Sequence, residues 1–425
     1  MFNRKYNKRD NKKMIIYFDV ATLPSLNMIF DLLKQKENNE IERIVGFSRF
    51  ELDETILKHF PDNKISFHKV DLDSKLELFA KNILEIIKNS PTKYALTIHT
   101  NLCHSLVIIP KLMSILNLVK HKYYIEQLYL YDDGSSDYLD LYNQRENNLA
   151  LLFKTAKKNT SLRLKQEIIY YFPRVHPYRL IYKVIRKFKF LRKYFHFTYL
   201  NKYTWHTLFP TKYIVLCPEY FETDKKMSYI NKELEKHFTK MNFQQFHTLT
   251  SENKSLFLHF INIDSQQLHT LARTLKQKNT LILTGTTTWK DERLEFAKLQ
   301  ANLLKNLIDT NFKNYHILFK GHPAATDINT FIIDTLKIES IPENIPLEIL
   351  IILDLLPDTI CGMPSSIYFS LPKEKVGKLI FLENKYIENT NPEKLTKFEK
   401  LISVILKINT NKSIELLKNK QNAIK

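Results

Sequence analysis

Two adjacent aspartates end an apolar run in LYLYDDGSSDYLD (residues 128–140), with Gly134 and two serines directly behind them. Asp132 and Asp133 suit three uses: binding a divalent cation, moving a proton, or capping a helix that follows. On an extended strand adjacent side chains point to opposite faces, so one aspartate can be structural while the other enters a cleft. No second acidic cluster stands in the sequence to complete a hard-cation site. In LFKGHP, Lys320 and His322 flank Gly321. At strand spacing they share a face, and an ammonium beside an imidazole suits a phosphate. In CGMPSSIYF, Ser365 and Ser366 stand where a helix should begin. A helix N-terminus attracts phosphate or carboxylate through its unpaired N–H groups; a plain serine cap is the alternative. In LTGTTTW, three threonines and Trp289, one of two tryptophans, follow Gly285. An indole there is either core or a stacking wall for a sugar ring.

These residues must be held by regular elements, and the glycines show where. The chain has six glycines in 425 residues, where ordinary composition would give about thirty. Gly134, Gly285, Gly321 and Gly362 each follow a run that reads as a strand, whereas Gly46 and Gly377 lack comparable polar company. From Met14 short β-rich runs alternate with amphipathic stretches. MIIYF precedes a helix starting near Pro24; IVGFSRF, KISFHKV, a helix over 74–88, YALTIHT, a helical stretch around 111–119 and EQLYLY follow. The alternation resumes with KYIVLC, helices through NKELEKHF and 265–276, TLILTG, and a charged helix over 291–307. YHILFK, PLEILIILDLL, TICGM, SSIYFSL and KLIFLEN complete it. This order predicts an α/β fold of two Rossmann-like domains, 14–208 and 209–394, with mostly parallel sheets, and closing helices over 395–425. Ligands of such sheets lie outside the carboxyl ends of the strands, so four glycine-marked ends predict one site.

Composition narrows the class further. The hydrophobic fraction of 44% fits a soluble chain with sizeable cores, and no apolar run approaches a membrane span. MIIYF is too short and too soon interrupted by Asp19 to be a signal-peptide core, which predicts a cytoplasmic protein. Cys103, Cys217 and Cys361 are far apart and read as buried free thiols. The net charge of +19 is concentrated between residues 151 and 200, where 13 Lys/Arg face one acidic residue, Glu167. Aromatics interleave with these cations, which suits an anionic membrane surface or a solvated helix face better than a nucleic acid.

The motifs YDDGS, GTTTW, FKGHP and a serine pair running into YFSLP occur here in that order. Together they resemble the bacterial sialyltransferases of glycosyltransferase family 80. DVATLPSLN from Asp19, GFSRF from Gly46 and IHTNLCHS from Ile98 extend the resemblance over most of the chain. It implies a GT-B fold, two Rossmann-like domains facing across a cleft, with the C-terminal helices packing back on the N-terminal domain. It implies metal-independent, inverting transfer of sialic acid from CMP-N-acetylneuraminic acid to a galactose-type acceptor such as lipooligosaccharide, with no cofactor. Carried over by motif, Asp133 is the general base. His322, Ser365 and Ser366 hold the CMP phosphate, with His322 a proton donor to it. Lys320, Gly321 and Glu348 lie on the nucleotide side, and His104 and Trp289 line the acceptor side. The basic segment 151–199 is then an insertion in the first domain, suited to peripheral contact with the inner membrane. Two alternatives remain at this point: the same fold using another CMP-nonulosonic acid or a UDP-sugar, and a non-catalytic membrane-binding protein centred on the basic segment.

Overall fold

A computed structural model describes residues 11–50, 53–61, 64–134, 138, 156–157, 160–162, 164–166, 168, 202–223, 228–288, 292–323, 325–363, 365–371, 375–381 and 416–418. Two sheets organise them. The first contains β1 (Lys12–Asp19), β2 (Ile41–Phe47), β3 (Ile65–Lys69), β4 (Tyr94–Asn101), β5 (Tyr123–Tyr131), β6 (Thr211–Val215) and β7 (Phe238–Lys240), in the order β3-β2-β1-β4-β5-β6-β7. The second contains β8 (Thr280–Thr284), β9 (His316–Lys320), β10 (Glu339–Ser340), β11 (Thr359–Gly362), β12 (Val376–Phe381) and β13 (Leu416–Lys418), in the order β10-β9-β8-β11-β12-β13. Every pairing in both sheets is parallel. Strands of parallel sheets are buried on both faces, which is why MIIYFD in β1 and TLILT in β8 are apolar almost without interruption and fully buried.

The helices cover the faces. Helix α1 (Thr22–Lys34) is buried on most sides because it lies between the first sheet and the helix Ser251–Phe260. Phe30 and Phe257 stack there, centroids 4.6 Å apart. The short α2 (Glu54–Leu57) leads towards β3. Helix α3 (Ser74–Asn89) buries Leu76, Phe79, Ala80, Ile83, Leu84 and Ile87, a three-and-four spacing that makes one apolar stripe. Helix α4 (Ser105–Leu116) begins six residues before the stretch read as helical from sequence and carries Pro110 inside it. In the second sheet, Leu281 and Leu283 pack under Ala297, Ala301 and Leu304 of the helix Arg293–Asn311, while Ile282 faces the other way into the larger core.

Two expectations need correction. The domain boundary at 208/209 falls too early, because β6 and β7 pair with β5 and extend the first sheet. Residues up to the helix Ser251–Phe260 also pack on that sheet's α1. The boundary was misplaced because a parallel strand looks the same in sequence whichever sheet receives it. Within the expected closing helices, Leu416–Lys418 form β13 on the edge of the second sheet, pairing with Leu379–Phe381. The rest of 382–425 and most of the basic segment 151–199 lie outside the described residues, and with them the docking of the C-terminal helices. Among the described residues, no helix is long and apolar enough to cross a membrane.

Candidate active site

Each sheet reverses its strand order once, between β1 and β4 in the first and between β8 and β11 in the second. Connections leave in opposite directions at such a point and open a crevice outside the carboxyl ends. In the second sheet Lys320 ends β9, Thr284 ends β8 and Gly362 ends β11, and the three are register partners across neighbouring strands. The motifs LTGTTTW, LFKGHP and CGMPSS therefore meet at one edge although some 80 residues separate the first from the last. In the first sheet Asp19 and Asn101 end the two strands at the reversal, His104 follows β4, and Asp132 and Asp133 follow β5.

The two aspartates divide as the strand geometry predicts. Asp132 is buried; its Oδ1 accepts from the Gly134 N–H at 2.7 Å and its Oδ2 from the Leu216 N–H at 3.1 Å. Its own N–H donates to the Ile214 carbonyl at 2.9 Å. This carboxylate fastens the end of β5 to the end of β6 and lets Gly134 turn with φ +96°. Asp133, by contrast, is partly exposed. Tyr138, from the same motif, is buried and its hydroxyl accepts from the Cys217 N–H at 2.7 Å, while the Cys217 thiol lies 3.2 Å from the Phe369 carbonyl. The YDDGSSDY and SSIYF motifs are joined through these contacts.

On the second sheet the Lys320 ammonium donates to the carbonyls of Pro342 (3.0 Å) and Glu343 (3.4 Å). Burial pushes its pKa down to about 8, against the pull of Glu348 and Glu343. Glu348 lies in the first turn of the helix Leu347–Ile352; desolvation raises its pKa and Lys320 works against the shift. His322 is partly buried, and desolvation lowers its pKa. Thr284 Oγ1 lies 2.7 Å from the Tyr368 hydroxyl and 2.9–3.0 Å from the carbonyls of Cys361 and Met363, which holds the serine-bearing turn against β8. Gly362 has φ +115°, and a Cβ there would meet the Thr284 carbonyl at 2.5 Å. Ser365 stands at the N-cap position of the short 3-10 turn Ser366–Phe369, which replaces the helix expected from sequence, and its side chain makes no capping hydrogen bond. A turn of one revolution offers fewer aligned N–H groups than a full helix.

Other expected residues are placed less completely. His104 is the cap residue of α4, half-buried, and its N–H donates to Asn101 Oδ1 at 3.3 Å. Trp289 lies outside the described residues, as does the side chain of Ser366. The structure adds residues that the motifs did not show. Gln300, fully buried in the helix Arg293–Asn311, donates to the Thr286 carbonyl at 2.9 Å and accepts from the Thr286 N–H at 3.0 Å. Arg293 holds the Thr288 carbonyl at 2.7 Å and pairs with Asp327 through two bonds of 2.5 and 2.6 Å. Both residues lie on the same helix, where nothing in the local pattern distinguishes a loop clamp from an ordinary polar position. Among the described residues, no group of three or more His, Cys, Asp or Glu side chains is placed to hold a metal ion.

Comparison with known proteins bears on the family and the fold. A family model described as Sialyltransferase PMO188 matches residues 14–199 and 193–415. No curated protein matches the sequence. A sialyltransferase GT-B domain from Photobacterium damselae is 26% identical over 93% of this chain and 96% of its own, with a TM-score of 0.73. An alpha/beta-galactoside alpha-2,3-sialyltransferase from Photobacterium phosphoreum is 23% identical over 96% and 99%, with a TM-score of 0.73. A 2,6-sialyltransferase from Photobacterium sp. JT-ISH-224, solved with CMP and lactose, is 24% identical over 92% and 76%, with a TM-score of 0.72. The two parallel sheets are the halves of a GT-B fold. With its family model matched along most of its length, the chain belongs to the bacterial sialyltransferases of glycosyltransferase family 80.

Proposed function

We propose that this glycosyltransferase moves sialic acid from CMP-N-acetylneuraminic acid to a galactose-terminated acceptor, inverting the anomeric carbon without a metal ion. The observation that carries the reading is the register of Thr284, Lys320 and Gly362, which gathers three motifs at the reversal of the second sheet. These motifs carry an ammonium, an imidazole and serine hydroxyls, a set suited to a nucleotide phosphate. The related Photobacterium 2,6-sialyltransferase holds CMP and lactose, which motivates both ligands here.

In this reading Lys320, His322, Ser365 and Ser366 neutralise the phosphate as the bond from the sugar to CMP breaks, and Glu348 takes nucleotide hydroxyls. An oxocarbenium-like centre beside the sugar's own carboxylate needs a stabilised leaving group more than a strong nucleophile. Asp133 removes the proton of the acceptor hydroxyl as it attacks the opposite face, while His104 and Trp289 line the acceptor. His322 passes a proton to the departing phosphate. The acceptor is lipooligosaccharide or another cell-surface glycan, reached from the cytoplasmic face of the inner membrane through the basic segment 151–199.

Incubation with CMP-N-acetylneuraminic acid and lactose, with and without EDTA, tests the proposal. Sialyl-lactose should form at equal rates in both, and linkage analysis should show one inverted anomer. Absence of both transfer and donor hydrolysis refutes the donor, and loss of activity in EDTA refutes the metal-free mechanism. In a thermal-shift panel CMP should stabilise the protein more than UDP or GDP; the reverse order points to another nucleotide sugar. Flotation with anionic vesicles at low salt tests the membrane contact, and no binding there removes it.

A further inference from the structure

The strand end carrying Lys320 and His322 is braced from behind by a side chain outside every motif. Asn329 lies in the first turn of the helix Thr326–Leu336 and is buried. Its Nδ2 donates to the His322 carbonyl at 2.9 Å and to Glu343 Oε1 at 3.0 Å. The other oxygen of Glu343 accepts from the Thr326 hydroxyl at 3.1 Å. One amide thus ties the His322 backbone to the segment 342–343, whose carbonyls receive the Lys320 ammonium. Asn329 Oδ1 has no hydrogen-bond partner among the described residues and faces Gly321. A buried amide oxygen without a partner costs stability, and helix packing alone would be served as well by an apolar side chain.

Gly321 is explained by the same contact. Its φ is not positive, so it is not there to permit a left-handed turn. A methyl group at 321 would overlap the Asn329 amide. The glycine between the Lys320 ammonium and the His322 imidazole is small because Asn329 comes in behind it.

We infer that Asn329 is a positioning residue for the donor side of the cleft, holding His322 and the 342–343 segment in one arrangement through its two N–H donors. This rests on the assignment of Lys320, His322 and Glu348 to the donor. Asn329 touches no reacting atom; it sets where the imidazole and the ammonium stand before the donor arrives, which removes a reorganisation step from the reaction.

The test uses the full chain with Asn329→Asp, which keeps the shape and removes the donors, and Asn329→Ala as the smaller change. Kinetics with CMP-N-acetylneuraminic acid and lactose, and melting temperature, are measured for each. Both variants should lose at least about tenfold in kcat/KM for the donor, with KM for lactose within about twofold of wild type. In Asn329→Asp/Glu343→Gln the new amide can donate to the new carboxylate, which repairs that half of the bridge and leaves the His322 carbonyl untethered. Melting temperature should recover in this double variant while donor kcat/KM does not. Recovery of both, or near-normal donor kcat/KM in Asn329→Asp, overturns the inference.

A substrate-free measurement separates this from the choice of donor. The His322 ring resonance, assigned by its loss in His322→Gln, should shift or broaden in Asn329→Asp. An unchanged resonance refutes the tether even if the wild-type enzyme prefers another nucleotide sugar. Inactive wild type with a shifted resonance refutes the donor and keeps the tether.

Discussion

The ring of Tyr138 stacks on that of Phe369, centroids 5.5 Å apart and planes inclined by 26°. Tyr138 closes the YDDGSSDY motif of the first sheet and Phe369 belongs to the SSIYF turn after β11. Residues 231 positions apart therefore form one hydrophobic contact between the segment bearing the proposed base and the segment bearing the serines.

Removing either side of that contact should loosen the relation of the two sheets. Phe369→Ala is expected to cost about 3–5 kcal/mol, the range for truncating a buried phenyl ring. Tyr138→Phe keeps the stack but leaves the buried Cys217 N–H without its acceptor, for about 1–3 kcal/mol. Urea unfolding of the two variants checks both figures. A loss under about 1 kcal/mol in Phe369→Ala would show the stack to be incidental.

The adjacent aspartates should fail in different ways. Asp133→Ala is expected to lower kcat at least about a hundredfold with little change in melting temperature, as for a lost general base. Asp132→Ala leaves the N–H groups of Gly134 and Leu216 without their acceptor and should cost about 1–3 kcal/mol in stability. Turnover and melting temperature measured on both variants decide between them. The opposite pattern would make Asp132 the base.

Lys320 predicts a pH dependence for nucleotide binding. With its pKa lowered to about 8 by burial, the ammonium is mostly charged at pH 7 and loses its proton as pH rises through 8. CMP affinity, read by calorimetry between pH 7 and 9.5, should change little up to about pH 7.5 and fall by up to about tenfold per pH unit above 8. Lys320→Gln should bind CMP more weakly and without that fall. A wild-type affinity that stays constant to pH 9.5 would remove Lys320 from the phosphate.

Asp19 predicts a pH dependence of stability. It is fully buried at the end of β1, and desolvation raises its pKa to about 6, although Ser25, donating at 2.7 Å, pulls the other way. A carboxyl whose folded-state pKa lies above its unfolded value of about 3.9 is favoured in its protonated form. Its contribution is complete below about pH 4 and is lost as pH rises through 6, about 3 kcal/mol in all. Asp19→Asn can still accept from Ser25 and carries no charge. It should match wild type near pH 4 and exceed it in urea midpoint at pH 7.5. A variant less stable than wild type at pH 7.5 would show that the fold needs the ionised form.

Much of the site was legible in the chain because glycine is so scarce. Gly134, Gly285, Gly321 and Gly362 all follow or end strands, as their polar neighbours suggested. Gly46 and Gly377 are packing positions: a Cβ at Gly46 would press on Phe79 and Val70, and one at Gly377 on the Cys361 sulfur. The reasons behind individual glycines were less legible. Gly362 needs its backbone freedom, whereas Gly321 needs only to be small, and a sequence does not distinguish the two.

Apolar periodicity determined that strands and helices alternate in this protein, and motif order determined its family. Both are properties of residues near one another in the chain. Tertiary structure alone decided that β6 and β7 join the first sheet, since parallel pairing depends on which edge is free and leaves no local mark. It also decided which polar residues stand behind the site. Gln300, Arg293 and Asn329 act on loops 5 to 14 residues away through hydrogen bonds, and only the packing of helix against strand end brings donor and acceptor within 3 Å.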